Sequence, residues 1–154
     1  MNKFWLILFL AFFWACTEEQ DTPDFQLQKT DISDYVDLNV FNYDSLKNDP
    51  VTINTVKVKG DLLIVNLSYG GGCKEHIIDL ARVHPSCGTP PLPPPSFQIR
   101  HNANNDACEA WITETLQFDI SRLRESGESP VTFLFSAAGY GDEHFQKELS
   151  YEFE

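Results

Sequence analysis

From residue 52 onward, apolar and polar positions alternate with a period of two, in short runs separated by turn-forming residues. Residues 52–58 are rich in β-branched side chains, and Lys59-Gly60-Asp61 is a turn signal leading into the apolar run 62–69. Together they predict a hairpin. Over residues 75–83, His76, Ile78 and Leu80 fall on one face, with Ile77 and Val83 on the other. Phe97, Ile99 and His101 share a face, opposite Gln98 and Arg100. Ile112, Leu116, Phe118 and Ile120 then alternate with Thr113, Thr115, Gln117 and Asp119. Val131, Phe133 and Phe135 follow, and Phe145, Leu149, Tyr151 and Phe153 close the series.

Such patterning predicts an all-β domain of antiparallel strands, each sheet with one buried face. About seven strands suit a two-sheet, immunoglobulin-like sandwich, with a closed barrel as the runner-up. A further strand is expected at 36–41, and helix is confined to a turn or two at 121–125. Residues 85–95 hold six of the nine prolines, which fix φ and remove backbone donors. That stretch reads as a stiff polyproline crossover between strands.

The chain is organised around Tyr69-Gly70-Gly71-Gly72-Cys73-Lys74-Glu75-His76. Three glycines between apolar strands mark backbone that turns tightly or takes a positive φ. Cysteine and histidine follow at Cys-x-x-His spacing, and His101-Asn102-Ala103-Asn104-Asn105-Asp106-Ala107-Cys108 repeats the pair in reverse order. A Cys73–Cys108 disulfide is the favoured reading, because both cysteines flank strands while Cys87 sits among the prolines. The alternative is a zinc site of Cys73, His76, His101 and Cys108, whose ligand types and number suit tetrahedral zinc. Against it stand the oxidising compartment and the long His101–Cys108 gap. A core-facing histidine is also commonly satisfied by a carbonyl or by a neighbour such as Asp106. No cofactor is expected on the first reading, and zinc on the alternative.

Other chemistry is thin. The glycines lack the Lys-Ser/Thr of a phosphate loop, and the signatures of Cys-His hydrolases are missing around Cys73. The Asn/Asp loop at 102–106 reads as self-capping turns rather than a calcium loop. Trp111, Tyr140 and Tyr69 read as core or sheet-face residues before a carbohydrate platform.

At 154 residues the chain can bury one core, and 42% apolar with 13% aromatic residues excludes a disordered polymer. Its 11 basic and 23 acidic residues give −12, a balance that repels nucleic acid and anionic membrane surfaces.

Residues 4–15 are apolar, too few to span a bilayer but suited to a secretory signal, and Ala15-Cys16 stands at their end. This junction resembles the lipobox of bacterial lipoproteins, with Phe13 and Trp14 bulkier than the usual pattern. The resemblance implies diacylglyceryl attachment to Cys16. Thr17-Glu18-Glu19-Gln20-Asp21 resembles the surface-export signal of some Gram-negative lipoproteins, which implies the outer face of the outer membrane rather than the periplasmic face. Gly71-Gly72-Cys73-x-x-His76 with His101-Asn102-x-x-x-Asp106-x-Cys108 is similar to stretches of small exported lipoproteins without known function. The expected organisation is a signal peptide at 1–15, an acidic tether at 16–33 and a β-sandwich at 34–154. The expected role is a non-enzymatic interaction or structural module at the cell envelope, partnered by the membrane through Cys16 and by an unidentified protein or ligand.

Overall fold

A computed structural model describes residues 31–84 and 93–154. Nine strands form two sheets: β1 (Ile32–Asp34), β2 (Val36–Leu38), β3 (Thr52–Lys59), β4 (Leu62–Gly71), β5 (Ile77–Val83), β6 (Ser96–Asn102), β7 (Ala110–Asp119), β8 (Val131–Ala138) and β9 (His144–Tyr151). One sheet runs β1-β7-β4-β3 and the other β2-β5-β6-β8-β9. The expected all-β sandwich is present, with nine strands among the described residues rather than seven. Three of its seven pairings are parallel: β1 with β7, β2 with β5 and β6 with β8.

The two added strands are only three residues long, and each pairs with a partner far along the chain. Strands that short carry no readable period. They place the entering chain first against one sheet and then against the other, with Tyr35 buried between them. The expected strand at 36–41 therefore stops at Leu38 and gives way to a turn. Asp37 fixes this entry: its Oδ1 accepts from Arg82 Nε at 2.6 Å and its Oδ2 from Arg122 at 2.9 Å.

The β3–β4 hairpin closes Lys59 onto Leu62. Its two-residue turn has Gly60 first, at φ +56°, the sign that primed hairpin turns require. Alternation sends Leu63, Val65, Leu67 and Tyr69 of β4 inward against Phe97, Ile99, Phe118, Phe133 and Phe135, all in one buried cluster. The expected helical turn is a 3-10 segment at Ser121–Ser126, ended by Gly127 at φ +70°. Most of the proline run, Cys87, and residues 1–30 with Cys16 lie outside the described residues, while Ile32 and Ser33, the last residues of the expected tether, belong to β1.

On the outer face of the β3/β4/β7 sheet, a bulge between Ile53 and Thr55 accompanies the outward turn of Asn54. Asn54 Nδ2 donates to Asn66 Oδ1 at 2.9 Å and to Ser68 Oγ at 2.8 Å. Asn66 Nδ2 donates to Thr115 Oγ1 at 2.8 Å, and the Ser68 and Thr113 hydroxyls meet at 2.8 Å. This ladder of amides and hydroxyls is uncharged, in a chain that carries −12.

Candidate functional site

The three glycines at the end of β4 serve three purposes. Gly72 takes φ +113°, which an L side chain rarely adopts, and turns the chain out of the strand. Gly71 faces inward, where an added Cβ would lie 2.5 Å from His76 Nε2 and 3.2 Å from Asp106 Oδ2. Gly70 faces outward; it lies opposite Trp111 in register, and its N–H donates to the Tyr140 hydroxyl at 2.9 Å.

Just past this turn, Cys73 is bonded to Cys108, with Cα atoms 5.9 Å apart. The bridge ties the β4–β5 turn to the loop that leads into β7. Asp106 organises the same corner from beneath. Its Oδ2 accepts the N–H groups of Cys73 at 2.8 Å and Lys74 at 2.9 Å, and its Oδ1 that of Cys108 at 2.9 Å. The Cys108 N–H, joined by those of Cys73 and Lys74, outweighs burial and holds the carboxyl well below the usual carboxylate range. Lys74 Nζ closes the corner by donating to the carbonyls of Asn104 and Asn105 at 3.0 and 2.9 Å.

The two histidines occupy the core-facing positions that the alternation assigned to them. The Pro50 carbonyl can only accept, so His101 Nδ1 donates to it, at 3.2 Å. Burial holds His101 below the ordinary histidine pKa, which leaves Nε2 as a lone pair. His76 Nδ1 donates to that lone pair at 2.8 Å, and its ring stacks on Tyr69 with centroids 4.6 Å apart. His76 Nε2 then faces Asp106 Oδ2 at 3.4 Å, with both side chains almost fully buried. Tyr69 donates its hydroxyl to Glu114 at 2.6 Å.

All four residues of the sequence-level metal set thus meet at one corner, but their donor atoms are engaged with one another. The two sulfurs form a disulfide and offer no thiolate. The Asn/Asp loop is self-capped: Asn102 Oδ1 accepts the Asn104 N–H at 2.9 Å, and the Asp106 N–H donates to the Ala103 carbonyl at 2.8 Å. Asn104 and Asn105 both take φ +51°, the left-handed region that asparagine tolerates.

Stability should fall with acid in two stages. His101 is held neutral in the fold, so its contribution is present above the unfolded-chain pKa of about 6.5 and drains away below it. Asp106, depressed in the fold, adds a second loss as pH falls below its unfolded value of about 4. Thermal melts between pH 8 and pH 3 should show both limbs, with Asp106→Asn shrinking the lower one, to which the depressed Asp37 and Asp61 also contribute. A flat profile would contradict the assignment.

This corner forms one wall of an open cleft of about 400 Å³, lined by Asp49, Pro50, His101, Asn105, Cys108 and Tyr140 among others. Tyr140, 39% exposed, stands at the edge of the cleft and Trp111, 59% exposed, beyond it, with ring centroids 5.7 Å apart. Of the three aromatics read as core or sheet-face residues, Tyr69 is in the core and Trp111 and Tyr140 are at the surface. Sequence reasoning missed that these two meet, since Tyr140 arrives from the β8–β9 loop. The outward phase of Trp111 in β7 was the only available signal.

The molecule is thus a β-sandwich braced by a disulfide, with a cleft between loops at one end. Residues 34–151 match the family of NigD-like C-terminal beta sandwich domains, and the chain belongs to that family. Its fold is similar to three solved structures. A Bacteroides vulgatus protein of unknown function shares 18% identity over 80% of this chain and 58% of its own, with a TM-score of 0.65. A putative toxin-related protein from Parabacteroides distasonis shares 20% over 79% of this chain and 61% of its own, at 0.62. A NigD-like immunity protein from Bacteroides caccae shares 15% over 75% of this chain and 58% of its own, at 0.53. The chain therefore spans about three fifths of the length of each of these structures. No curated protein matches it.

Proposed function

We propose that this protein is a non-enzymatic binding module of the cell envelope. It is exported, lipid-anchored through Cys16 at the outer membrane, and engages a partner macromolecule at its cleft end. The observation that carries this reading is the placement of the exposed Trp111–Tyr140 pair beside an open cleft whose wall is braced by the disulfide. Exposed tryptophan and tyrosine supply large contact area at little entropic cost, and asparagine, serine and threonine supply adaptable hydrogen bonds. The neighbouring uncharged ladder has that composition.

Binding is favoured over catalysis because the reactive groups of the corner are already committed. Asp106 accepts three backbone N–H groups, His101 is held by Pro50, and Cys73 and Cys108 are joined. The solved neighbour described as an immunity protein supports a proteinaceous partner. The outer-membrane address rests on the lipobox-like junction at Cys16 and the acidic residues that follow it.

A photo-crosslinking residue at position 111 in the full chain, expressed in the native host, tests this. It should give a discrete light-dependent adduct from the membrane fraction, absent when the same residue replaces Glu148 on β9. Cys16→Ser should move the protein into the soluble fraction. Equal adducts at both positions, or none at 111, would remove the binding face; a soluble wild type would remove the anchor.

A further inference from the structure

On the outer face of the other sheet, Arg100 of β6 is 3% exposed, although its alternation points it away from the core. The cover is supplied by the segment between β2 and β3. Tyr43, in a 3-10 turn at Tyr43–Ser45, lies over the guanidinium with its ring centroid 4.3 Å from Cζ. Its hydroxyl donates to Gln98 Oε1 at 3.3 Å. Beneath that ring, Arg100 Nε and Nη2 are enclosed and have no hydrogen-bond partner.

Enclosed guanidinium donors without acceptors are costly, and buried charges are ordinarily paired. Nε–H and Nη2–H are moreover the two parallel donors on one edge of the guanidinium. That edge is the one that takes both oxygens of a carboxylate side by side. Arg100 also lines a cleft of about 350 Å³, bordered by Ser45, Lys47, Ile77, Asp79 and Asn102. Ser45 and Asn102 bring neutral hydrogen-bonding groups to it, and Lys47 a second cation.

Asp79 is the one acid in the cleft and stands directly across from Arg100 in the β5–β6 register. No hydrogen bond or ion pair joins the two side chains among the described residues. Burial pushes the Asp79 carboxyl up.

We propose that Arg100, with Ser45, Lys47 and Asn102, forms a receptor for a ligand carboxylate, roofed by Tyr43 and separate from the Trp111–Tyr140 end. The Nε–Nη2 edge matches a planar carboxylate side by side, and since Tyr43 encloses that edge its ring must lift for a ligand to enter.

Succinate and inorganic phosphate, titrated at fixed ionic strength against the ¹⁵N-labelled protein, test this assignment. The Arg100 Nε–H signal and the amides of Ser45 and Asn102 should shift saturably with succinate. The Arg124 Nε–H, which donates to Tyr151, should stay still. Arg100→Lys keeps the charge but loses the fork, and should weaken succinate at least tenfold as read from the Ser45 and Asn102 amides. Asp79→Asn should tighten it. Linear shifts, equal movement of Arg124, undiminished affinity in Arg100→Lys, or binding of phosphate in preference to succinate would each overturn the assignment. The contrast between Arg100 and Arg124 in the wild type decides the matter even if the lysine variant does not fold.

Discussion

Replacing Cys73 and Cys108 together with serine should cost the domain about 4 kcal/mol, seen as a fall in Tm of roughly 10–20 °C. The bridge closes a 35-residue loop, and cutting it returns that closure entropy to the unfolded chain. Two further losses act in the same direction. Asp106 draws two of its three backbone donors from the bridged residues, and the turn that carries Lys74 is held by the same link. Thermal unfolding of the double variant beside the wild type measures the effect. Thiol titration of the denatured, unreduced mature protein supplies the covalent check. One free thiol, Cys87, is expected; three thiols with bound zinc would return the Cys/His set to a metal site. A Tm change of only a degree or two would mean that the corner is held by packing alone.

The second large effect is expected at Gly71. An alanine there must displace His76, whose Nε2 and Cε1 would lie 2.5 and 2.6 Å from the new Cβ. His76 has nowhere to go, because it stacks on Tyr69 and is bonded to His101. Overpacking of this kind costs roughly 1–3 kcal/mol, and breaking the histidine pair leaves buried polar atoms unmet at a further cost of about 1–3 kcal/mol. Gly70→Ala is the control: its Cβ meets only the Tyr140 hydroxyl, at 3.8 Å. Urea denaturation of the two variants should therefore separate adjacent glycines by several kcal/mol. Equal stabilities would show that His76 yields its position freely.

Much of this corner could be read before folding. Phe97, Ile99 and His101 share one phase of alternation, which put an imidazole in the core and demanded a partner for it. Pro50 and His76 meet that demand. Strands β3 to β9 follow runs whose period is local, so their extent was legible to within two or three residues. β1 was not, and of the strand expected at 36–41 only Val36–Leu38 forms, as β2, because three residues hold too little pattern and both strands pair in parallel with partners far along the chain. The parallel pairing of β6 with β8 was likewise invisible, since alternation gives the faces of a strand but not its direction. Arg100 and Gln98 show the same limit from the other side. Their phase pointed them at solvent, and they are buried only because the segment with Tyr43 crosses over them. The meeting of Trp111 with Tyr140 depends on a loop trajectory that no period encodes.

The entry of the chain through β1 and then β2 also has a mechanical side. Under the proposed anchoring, any pull between the membrane and a captured partner arrives at Ile32 and runs along the strand axis. Ile32 pairs at once with Gln117 of β7, and Val36 with Ala81 of β5, so the load meets hydrogen bonds of both sheets within five residues. Because the two short strands grip different sheets, the tension is divided between both layers of the sandwich before it reaches the hairpins. Three residues on each side act as a strain relief, much as a cable is clamped where it enters its housing.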